Sequence, residues 1–195
     1  MQRFSWENIT IYTEERERVV LCPTELLETV RRKKVEYARS EGQKKEQREN
    51  GAFLRQALSD YLGELPAEPL SVCYNCYGKP YLEDGRCFYS LSHSEELLVC
   101  AVSDVEVGAD VEVCRPLRQD ISRKILSDAE YESYLRLPEE EKNDWLIRVW
   151  TEKESIGKLL GTGIRTPKEL DRTEFALRTW KRDGAWLTAA KRRTV

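Results

Sequence analysis

Apolar residues recur at helical spacing in the first third of the chain. Pro23 and Thr24 form a helix start signal, and apolar residues then follow at steps of three to five residues. This pattern predicts helical structure from Pro23 to Tyr61, with a second helix beginning after Gly51. Basic residues lie between the apolar positions: Arg31, Arg32, Lys33, Lys34, Lys44, Lys45 and Arg48. They form either a solvated helix face or a flank that binds phosphate.

The spacing changes after residues 65–69, a Pro-containing segment that we interpret as a linker. Short apolar runs bounded by turn residues then predict strands over residues 71–77, 86–91, 97–103 and 105–114. We expect these four strands to form an antiparallel meander.

Helical signals return in the last third of the chain. Ser127 and Glu130 have the spacing of a capping box, which predicts a helix start. This helix should end at Leu137, because Pro138 suits the first turn of a new helix that continues to Leu160.

A final hairpin is predicted over residues 173–179 and 185–189, with its turn at 182–184. Helices, strands, helices and strands thus follow one another, which predicts an α+β fold. The order also hints at two similar halves, residues 1–104 and 105–195, within one compact unit. A chain that carries both halves is expected to be a monomer.

The composition favours a folded protein with a charged exterior. The chain of 195 residues is 40% hydrophobic, and its 32 basic and 35 acidic side chains give a net charge of −3. Disorder is therefore not expected, and a general nucleic-acid binder would carry more positive charge. The apolar runs are short and the first residues do not resemble a signal peptide, so we expect a cytoplasmic protein that does not enter a membrane.

Six cysteines are scattered through the chain, and Cys73 and Cys76 form one C-x-x-C pair. A structural zinc site needs a second pair of ligands, and His93 is the only histidine. We therefore favour reduced, buried thiols at strand positions over a zinc site.

Acidic and apolar residues alternate along the predicted strand of residues 105–113. Asp110 and Glu112 should point to the same side, with their Cα atoms about 6.6 Å apart. Two carboxylates at that distance can converge on one hard cation, although an exposed strand face with solvated charge gives the same pattern.

Trp150, Glu154 and Lys158 are spaced i, i+4, i+8 on the last predicted helix. They form a stripe about 80° wide, and Glu152 points the opposite way. A Glu to Lys pair at this spacing is a common helix stabiliser. The tryptophan on the same stripe instead indicates that the stripe is covered and its charges are partly desolvated.

A third group combines a lysine, serine hydroxyls and the imidazole near predicted strand ends. Lys79 lies in Gly78-Lys79-Pro80, and Ser92 and His93 lie in Leu91-Ser92-His93-Ser94. Such groups suit phosphate binding, although a histidine beside serines is commonly a hydrogen-bonded turn residue.

Taken together, the motifs resemble those of the 4'-phosphopantetheinyl transferases of the Sfp-like type. The family shows G-K-P, L-S-H-S, G-x-D-x-E and W-x-x-K-E-S-x-x-K in this order, and four motifs in order are far more specific than any one alone. Here they are Gly78-Lys79-Pro80, Leu91-Ser92-His93-Ser94, Gly108-Ala109-Asp110-Val111-Glu112 and residues 150–158.

The resemblance implies a pseudo-twofold α+β fold in which each of two lobes packs a small antiparallel sheet on a helix. It also implies a magnesium-dependent enzyme that transfers phosphopantetheine from coenzyme A to a serine of an acyl or peptidyl carrier protein and releases adenosine 3',5'-bisphosphate. Magnesium would be held by Asp110, Glu112 and Glu154. Lys158 would neutralise phosphoryl charge, and Glu154 would serve as ligand or as base.

Further roles follow from the same resemblance. Lys79, Ser92, His93 and Lys158 would bind coenzyme A. Arg48 is a candidate for binding the 3'-phosphate of coenzyme A. Glu130 matches an acid placed near the metal in the family, although helix capping explains it equally well. A basic stretch such as 33–34 would steer an acidic carrier protein.

Two alternatives from other classes remain open at this stage. A binding protein with the same fold could recognise carrier proteins or coenzyme A without turnover, although the retained acids and Lys158 argue against it. Nucleic-acid binding through the basic helix is the other, but that segment lacks interleaved aromatic residues.

Overall fold

The computed structural model describes residues 1–64, 68–117, 119–164 and 166–193. It has the α+β fold predicted from the sequence. The five α-helices of the described ranges are α1 (Thr29–Glu36), α2 (Glu41–Leu62), α3 (Ser122–Ile125), α4 (Asp128–Leu135) and α5 (Glu139–Leu160). The strands of the same ranges are β1 (Gln2–Trp6), β2 (Ile9–Glu15), β3 (Val72–Tyr74), β4 (Pro80–Leu82), β5 (Phe88–Ser94), β6 (Leu97–Ser103), β7 (Gly108–Val113), β8 (Phe175–Arg182) and β9 (Ala185–Arg192).

The strands form three antiparallel sheets. A four-stranded sheet has the order β1-β2-β6-β5, and a three-stranded sheet has the order β7-β9-β8. The short strands β3 and β4 pair only with each other.

The two larger sheets pack against each other, and each has a long helix on its outer face. Apolar residues at alternate positions of β2 and β6, such as Ile11 and Val99, pack with Val111 and Leu187 of the second sheet. The opposite faces of β2 and β6 pack on α2. Helix α5 covers the outer face of the three-stranded sheet. The order of layers is therefore helix, sheet, sheet, helix.

Serine side chains join the two sheets where the edge strands β5 and β7 meet. Ser90 Oγ accepts a hydrogen bond of 2.9 Å from the backbone N–H of Ala109, and Ser94 Oγ accepts one of 3.1 Å from the N–H of Val113. Backbone donors at a sheet edge need partners when they are buried, and the serines supply them. We call residues Ser90, Ser92 and Ser94 the serine ladder.

Aromatic residues close the opposite side of the two sheets. The ring of Trp180 on β8 lies 5.2 Å from that of Phe4 and 6.5 Å from that of Trp6, both on β1, in edge-to-face arrangements. The outer strands of the two sheets are thus held by ring packing, whereas β5 and β7 are held by hydrogen bonds.

The helix prediction for residues 23–61 was right in type but wrong about the break. The chain leaves the helical conformation between α1 and α2, at residues 37–40, and Gly51 lies inside α2. Ser40 caps the new helix by accepting a hydrogen bond from Gln43 N. Gly51 packs closely on the segment before α1, since a Cβ there would meet the Leu27 side chain at 2.8 Å and that side chain would have to shift.

The predicted meander was wrong. Only β5 and β6 form the expected hairpin, because β3 pairs with β4 and β7 pairs with β9. The sequence pattern also missed β1, β2 and β4. Part of the predicted linker, residues 65–67, lies outside the described residues.

The predictions for the last third of the chain were confirmed, except that α4 ends at Leu135 and not at Leu137. The capping box at Ser127 and Glu130 is present, α5 starts after Pro138, and β8 and β9 form the final hairpin. The hairpin turns through Asp183 and Gly184, both with positive φ, as tight turns between twisted strands require.

All six cysteines are free thiols. Cys87 and Cys100 are buried, but Cys76 is exposed in the turn between β3 and β4 and does not fill a buried strand position as predicted. Among the described residues, no helix is both long enough and apolar enough to cross a membrane.

Gly108 allows α5 to cross β7 closely. A Cβ at this position would overlap the backbone of Ser155 and Leu159 on the helix. Backbone atoms in a packed helix cannot move aside as a flexible side chain can. Gly108 thus sets the distance between the strand that carries Asp110 and the helix that carries Glu154 and Lys158.

We predict that Gly108→Ala lowers the free energy of unfolding by at least about 2 kcal/mol, because the methyl group would push α5 away from β7. Chemical denaturation measures the loss. Gly42→Ala is the matched control, because a Cβ there meets only Ser40 Oγ at 3.9 Å. A Gly108→Ala protein as stable as the control would show that the close approach is not required.

Candidate active site

The predicted catalytic residues meet where β5, β7 and α5 converge. Asp110 and Glu112 lie on the face of β7 that α5 covers, and Glu154 and Lys158 lie on α5. Their alternation on the strand and their i, i+4 spacing on the helix place both pairs at this junction. The strand and the helix carry the residues that the sequence pattern assigned to them.

Asp110 is only 4% exposed and has one engaged and one unengaged oxygen. Its Oδ1 accepts hydrogen bonds from Lys158 Nζ at 2.6 Å and from Ser92 Oγ at 2.8 Å. Its Oδ2 is buried and has no hydrogen-bond partner among the described residues. A buried carboxylate oxygen without a partner is costly, so this atom has an unused capacity to bind a donor or a cation.

Glu112 lies next to Asp110 on the same face of β7. Its Oε2 accepts a hydrogen bond of 2.9 Å from Ser94. Burial raises the pKa of Glu112 and the Asp110 charge raises it further, whereas Ser94, Lys158 and the Trp150 side chain lower it. The sum of these effects raises the pKa, so Glu112 stays protonated to a higher pH than a solvated glutamate does.

Glu154 faces the strand acids from α5. Burial raises its pKa, and the charges of Asp110 and Glu112 raise it further, while Lys158 lowers it. Electrostatic interactions therefore link all three carboxylates. The helix stripe is partly covered, as predicted from Trp150, and Glu152 points away to bond Arg148 and Arg172.

The structure brings these acids together without forming a ready ligand set. Within the described ranges, no group of three or more His, Cys, Asp or Glu side chains is arranged to hold a metal ion. Lys158 occupies the position beside Asp110 Oδ1 and also donates a hydrogen bond of 2.7 Å to Ser92 Oγ. The predicted magnesium ligation by Asp110, Glu112 and Glu154 stays a prediction.

A cavity of about 430 Å³ extends from Lys158 between α1, α2, β5 and the β3-β4 hairpin. Five basic residues in its wall have the chemistry to bind phosphate: Arg31, Lys34, Lys79, His93 and Lys158. The main chain lines it at Gly78 and Gly161. A cavity with several basic side chains in its wall suits a polyanion.

Lys79 lines this cavity and also caps α5. Its Nζ donates a hydrogen bond of 2.7 Å to the carbonyl of Leu159, in the last turn of the helix. Burial lowers the pKa of Lys79. The G-K-P motif therefore joins the β3-β4 hairpin to the helix that carries Glu154 and Lys158.

His93 lies on the cavity side of β5, with Nε2 at 3.3 Å from Glu46 Oε1. Burial lowers its pKa, and the positive charges of Arg16, Lys158 and Arg31 lower it further, against the effect of Glu46. At neutral pH the imidazole is therefore mainly uncharged. His93 lines the same cavity as Lys158 and Arg31.

Ser92 and Arg48 do not line this cavity. Ser92 points to the opposite face of β5 from His93, because neighbouring strand residues face opposite ways, and its hydroxyl bonds Asp110 and Lys158. Arg48 lies near Cys22, whose pKa its charge lowers against the larger effect of burial. Arg31 and Lys34 occupy the cavity wall instead.

Two parts of the site were not assigned from the sequence. The serine ladder could have been recognised from serines at alternate positions 90, 92 and 94 of one strand. Arg31 and Lys34 belong to the basic run that was predicted as either a solvated face or a phosphate flank. The structure divides that run, since Arg31 and Lys34 line the cavity whereas Lys33 and Lys45 do not.

Glu130 caps α4, which is one of the two roles predicted for it. Its carboxylate accepts a hydrogen bond from Ser127 N, receives Lys153 Nζ at 2.6 Å and pairs with Arg172. Lys153 is fully buried, so Glu130 neutralises a charge inside the protein.

A family model described as the 4'-phosphopantetheinyl transferase superfamily matches residues 106–191. This segment contains β7, α5 and the acids described above. The match covers the last two of the four motifs and less than half of the chain. The resemblance inferred from the four motifs is thereby confirmed.

Curated relatives carry the same description. The 4'-phosphopantetheinyl transferase HetI of Nostoc sp. (strain PCC 7120 / SAG 25.82 / UTEX 2576) is 34% identical over 126 residues, which cover 61% of this chain and 53% of HetI. The transferase Sfp of Bacillus subtilis (strain 168) is 32% identical over 92 residues, covering 47% of this chain and 41% of Sfp.

The transferase psf-1 of Bacillus pumilus is 35% identical over 101 residues, covering 51% of this chain and 43% of psf-1. In these three comparisons the chain spans about half or less of the length of the relative that it matches.

We predict that Glu154→Gln stabilises the protein at neutral pH in the presence of a chelator. Because the pKa of Glu154 is raised on folding, the parent is most stable where this acid is protonated and loses stability as pH rises from about 4.5, its ordinary value. Glutamine removes that loss, so the increase in melting temperature should be larger at pH 7 than at pH 4. An equal increase at both pH values would show that the Glu154 charge is not the cause.

Proposed function

We propose that the protein transfers the 4'-phosphopantetheine group from coenzyme A to a serine of an acyl or peptidyl carrier protein. The observation that carries the proposal is the meeting of Asp110, Glu112 and Glu154 with Lys158, which also lines a cavity rich in basic side chains. The superfamily match over residues 106–191 supports it. We also propose that residues 1–104 and 105–195 are pseudo-twofold related lobes.

The donors at the site fit a magnesium ion. Magnesium prefers carboxylate oxygens together with water and substrate phosphates, and Asp110 Oδ2 is a buried oxygen with no other partner among the described residues. A cation would also relieve the repulsion that raises the pKa values of Glu112 and Glu154. Asp110, Glu112 and Glu154 would hold the ion, which when bound supplies charge neutralisation for the pyrophosphate.

The reacting centre lies at Glu154 and Lys158. The hydroxyl oxygen of the carrier serine forms a bond to the β-phosphorus of coenzyme A, and the bond from that phosphorus to the bridging oxygen breaks. Adenosine 3',5'-bisphosphate leaves, and the serine proton passes to Glu154. Glu154 lies one helical turn before Lys158 on α5, so its carboxylate is positioned at the same centre to accept this proton.

Lys158 neutralises negative charge on the phosphoryl oxygens as they separate. Ser92 holds this lysine in place, since its hydroxyl accepts the Lys158 hydrogen bond and donates to Asp110. Ser92 therefore acts through Lys158 and Asp110, which differs from the direct nucleotide contact expected from the motif.

The nucleotide part of coenzyme A follows the cavity away from Lys158. Lys79 and His93 contact it on the way, and Arg31 and Lys34 bind the 3'-phosphate at the α1 end. This assignment replaces Arg48, which lies elsewhere. Since the proposed carrier protein is acidic, exposed lysines next to Lys34 attract it to the same side of the molecule.

We expect the purified protein to modify at least one carrier protein. It should be mixed with coenzyme A, magnesium and several apo carrier proteins, and the carriers should be weighed by mass spectrometry. A carrier that gains the mass of phosphopantetheine confirms the activity. Coenzyme A binding with no modified carrier would instead favour a binding protein that has lost turnover.

We predict that Glu154→Gln lowers turnover at least about a hundredfold, because the serine proton loses its acceptor. Steady-state transfer to the carrier measures the loss, and circular dichroism checks the fold. Glu140→Gln is the matched control, because it removes the same charge from an exposed position of α5. Activity of Glu154→Gln within threefold of this control would remove Glu154 from the mechanism.

A further inference from the structure

A buried carboxylate lies in the wall of a cavity that is otherwise suited to anions. Glu28 lines the cavity immediately before α1 and is only 5% exposed. Its negative charge would repel a phosphate unless it serves another group. Its contacts identify that group.

Both oxygens of Glu28 are engaged. Oε1 lies 3.4 Å from Nε of Arg31, one turn further along the chain. Oε2 accepts a hydrogen bond of 2.9 Å from the hydroxyl of Tyr74 on β3. One carboxylate thus joins α1 to the hairpin that carries Lys79.

Arg31 has a second anchor on α2. Its Nη1 donates a hydrogen bond of 2.9 Å to Oε1 of Gln47. A guanidinium has five N–H donors in a fixed plane. Nη1 bonds Gln47, and Nε lies 3.4 Å from Glu28 in an ion pair without a hydrogen bond, so the guanidinium is held from two sides while Arg31 lines the cavity.

The Tyr74 hydroxyl is kept protonated and can act only as the donor to Glu28. Burial raises the pKa of Tyr74, and the Glu28 charge and hydrogen bond raise it further. The link between α1 and the hairpin therefore persists across the neutral pH range.

We propose that Glu28 is a positioning residue for coenzyme A, which orients Arg31 toward the 3'-phosphate and fixes α1 against the β3-β4 hairpin through Tyr74. The proposal rests on the function proposed above and adds a residue that the four motifs do not contain. Glu28 acts through Arg31 and does not contact the reacting atoms. Its effect should therefore depend on whether the ligand has a 3'-phosphate.

Calorimetry with coenzyme A and with dephospho-coenzyme A, which lacks the 3'-phosphate, tests this dependence. We expect Glu28→Gln to weaken coenzyme A binding at least about fivefold, because the glutamine amide cannot pair with Arg31 through a charge. Dephospho-coenzyme A binding should change by less than twofold. In an Arg31→Met background, Glu28→Gln should cause no further loss for coenzyme A.

Glu36→Gln is the matched control, because it removes the same charge from an exposed position of α1 and should leave both affinities unchanged. Equal weakening of both ligands by Glu28→Gln would indicate a general structural role and overturn the proposal. Tighter coenzyme A binding would overturn it too, since Glu28 would then only repel the anion. A parent protein that binds neither ligand would overturn the proposed function and this inference together, whereas an unchanged ratio of the two affinities overturns this inference alone.

Discussion

The serine ladder between β5 and β7 is the interaction on which the site depends. Two separate sheets meet there, and hydroxyl groups supply the partners that a continuous sheet would have supplied through its backbone. The same hydroxyls hold the side chains of Asp110 and Glu112. The interface between the sheets and the orientation of the acids therefore have one cause.

Placing Asp110, Glu112 and Glu154 close together costs electrostatic free energy, and the surrounding structure offsets part of that cost. Three carboxylates lie close enough to interact at a partly buried junction, and burial and mutual repulsion raise the pKa values of Glu112 and Glu154. Lys158 and two serines offset part of this cost, and Gly108 lets α5 approach closely enough for Lys158 to reach Asp110. Unfavourable electrostatics of this kind is typical of sites that bind charged ligands.

The cavity shows how elements distant in sequence combine around one ligand-sized space. The wall contains Arg31 from α1, Lys79 from the β3-β4 hairpin and Lys158 from α5. Lys79 also caps α5, and Glu28 holds Arg31 while bonding the hairpin. The hairpin therefore connects the nucleotide end of the proposed site to its catalytic end.

Local patterns in the sequence determined most of the helices, part of the strands and the faces on which the acids lie. The alternation around Asp110, the stripe of Glu154 and Lys158 and the capping box at Ser127 depend only on spacing along the chain, so they were predicted correctly. Partners that lie far apart in sequence could not be read in this way. The pairing of β7 with β9, the division of the basic run and the placement of Arg48 away from the cavity were decided by tertiary packing, because spacing fixes which residues share a face and not which surface that face meets.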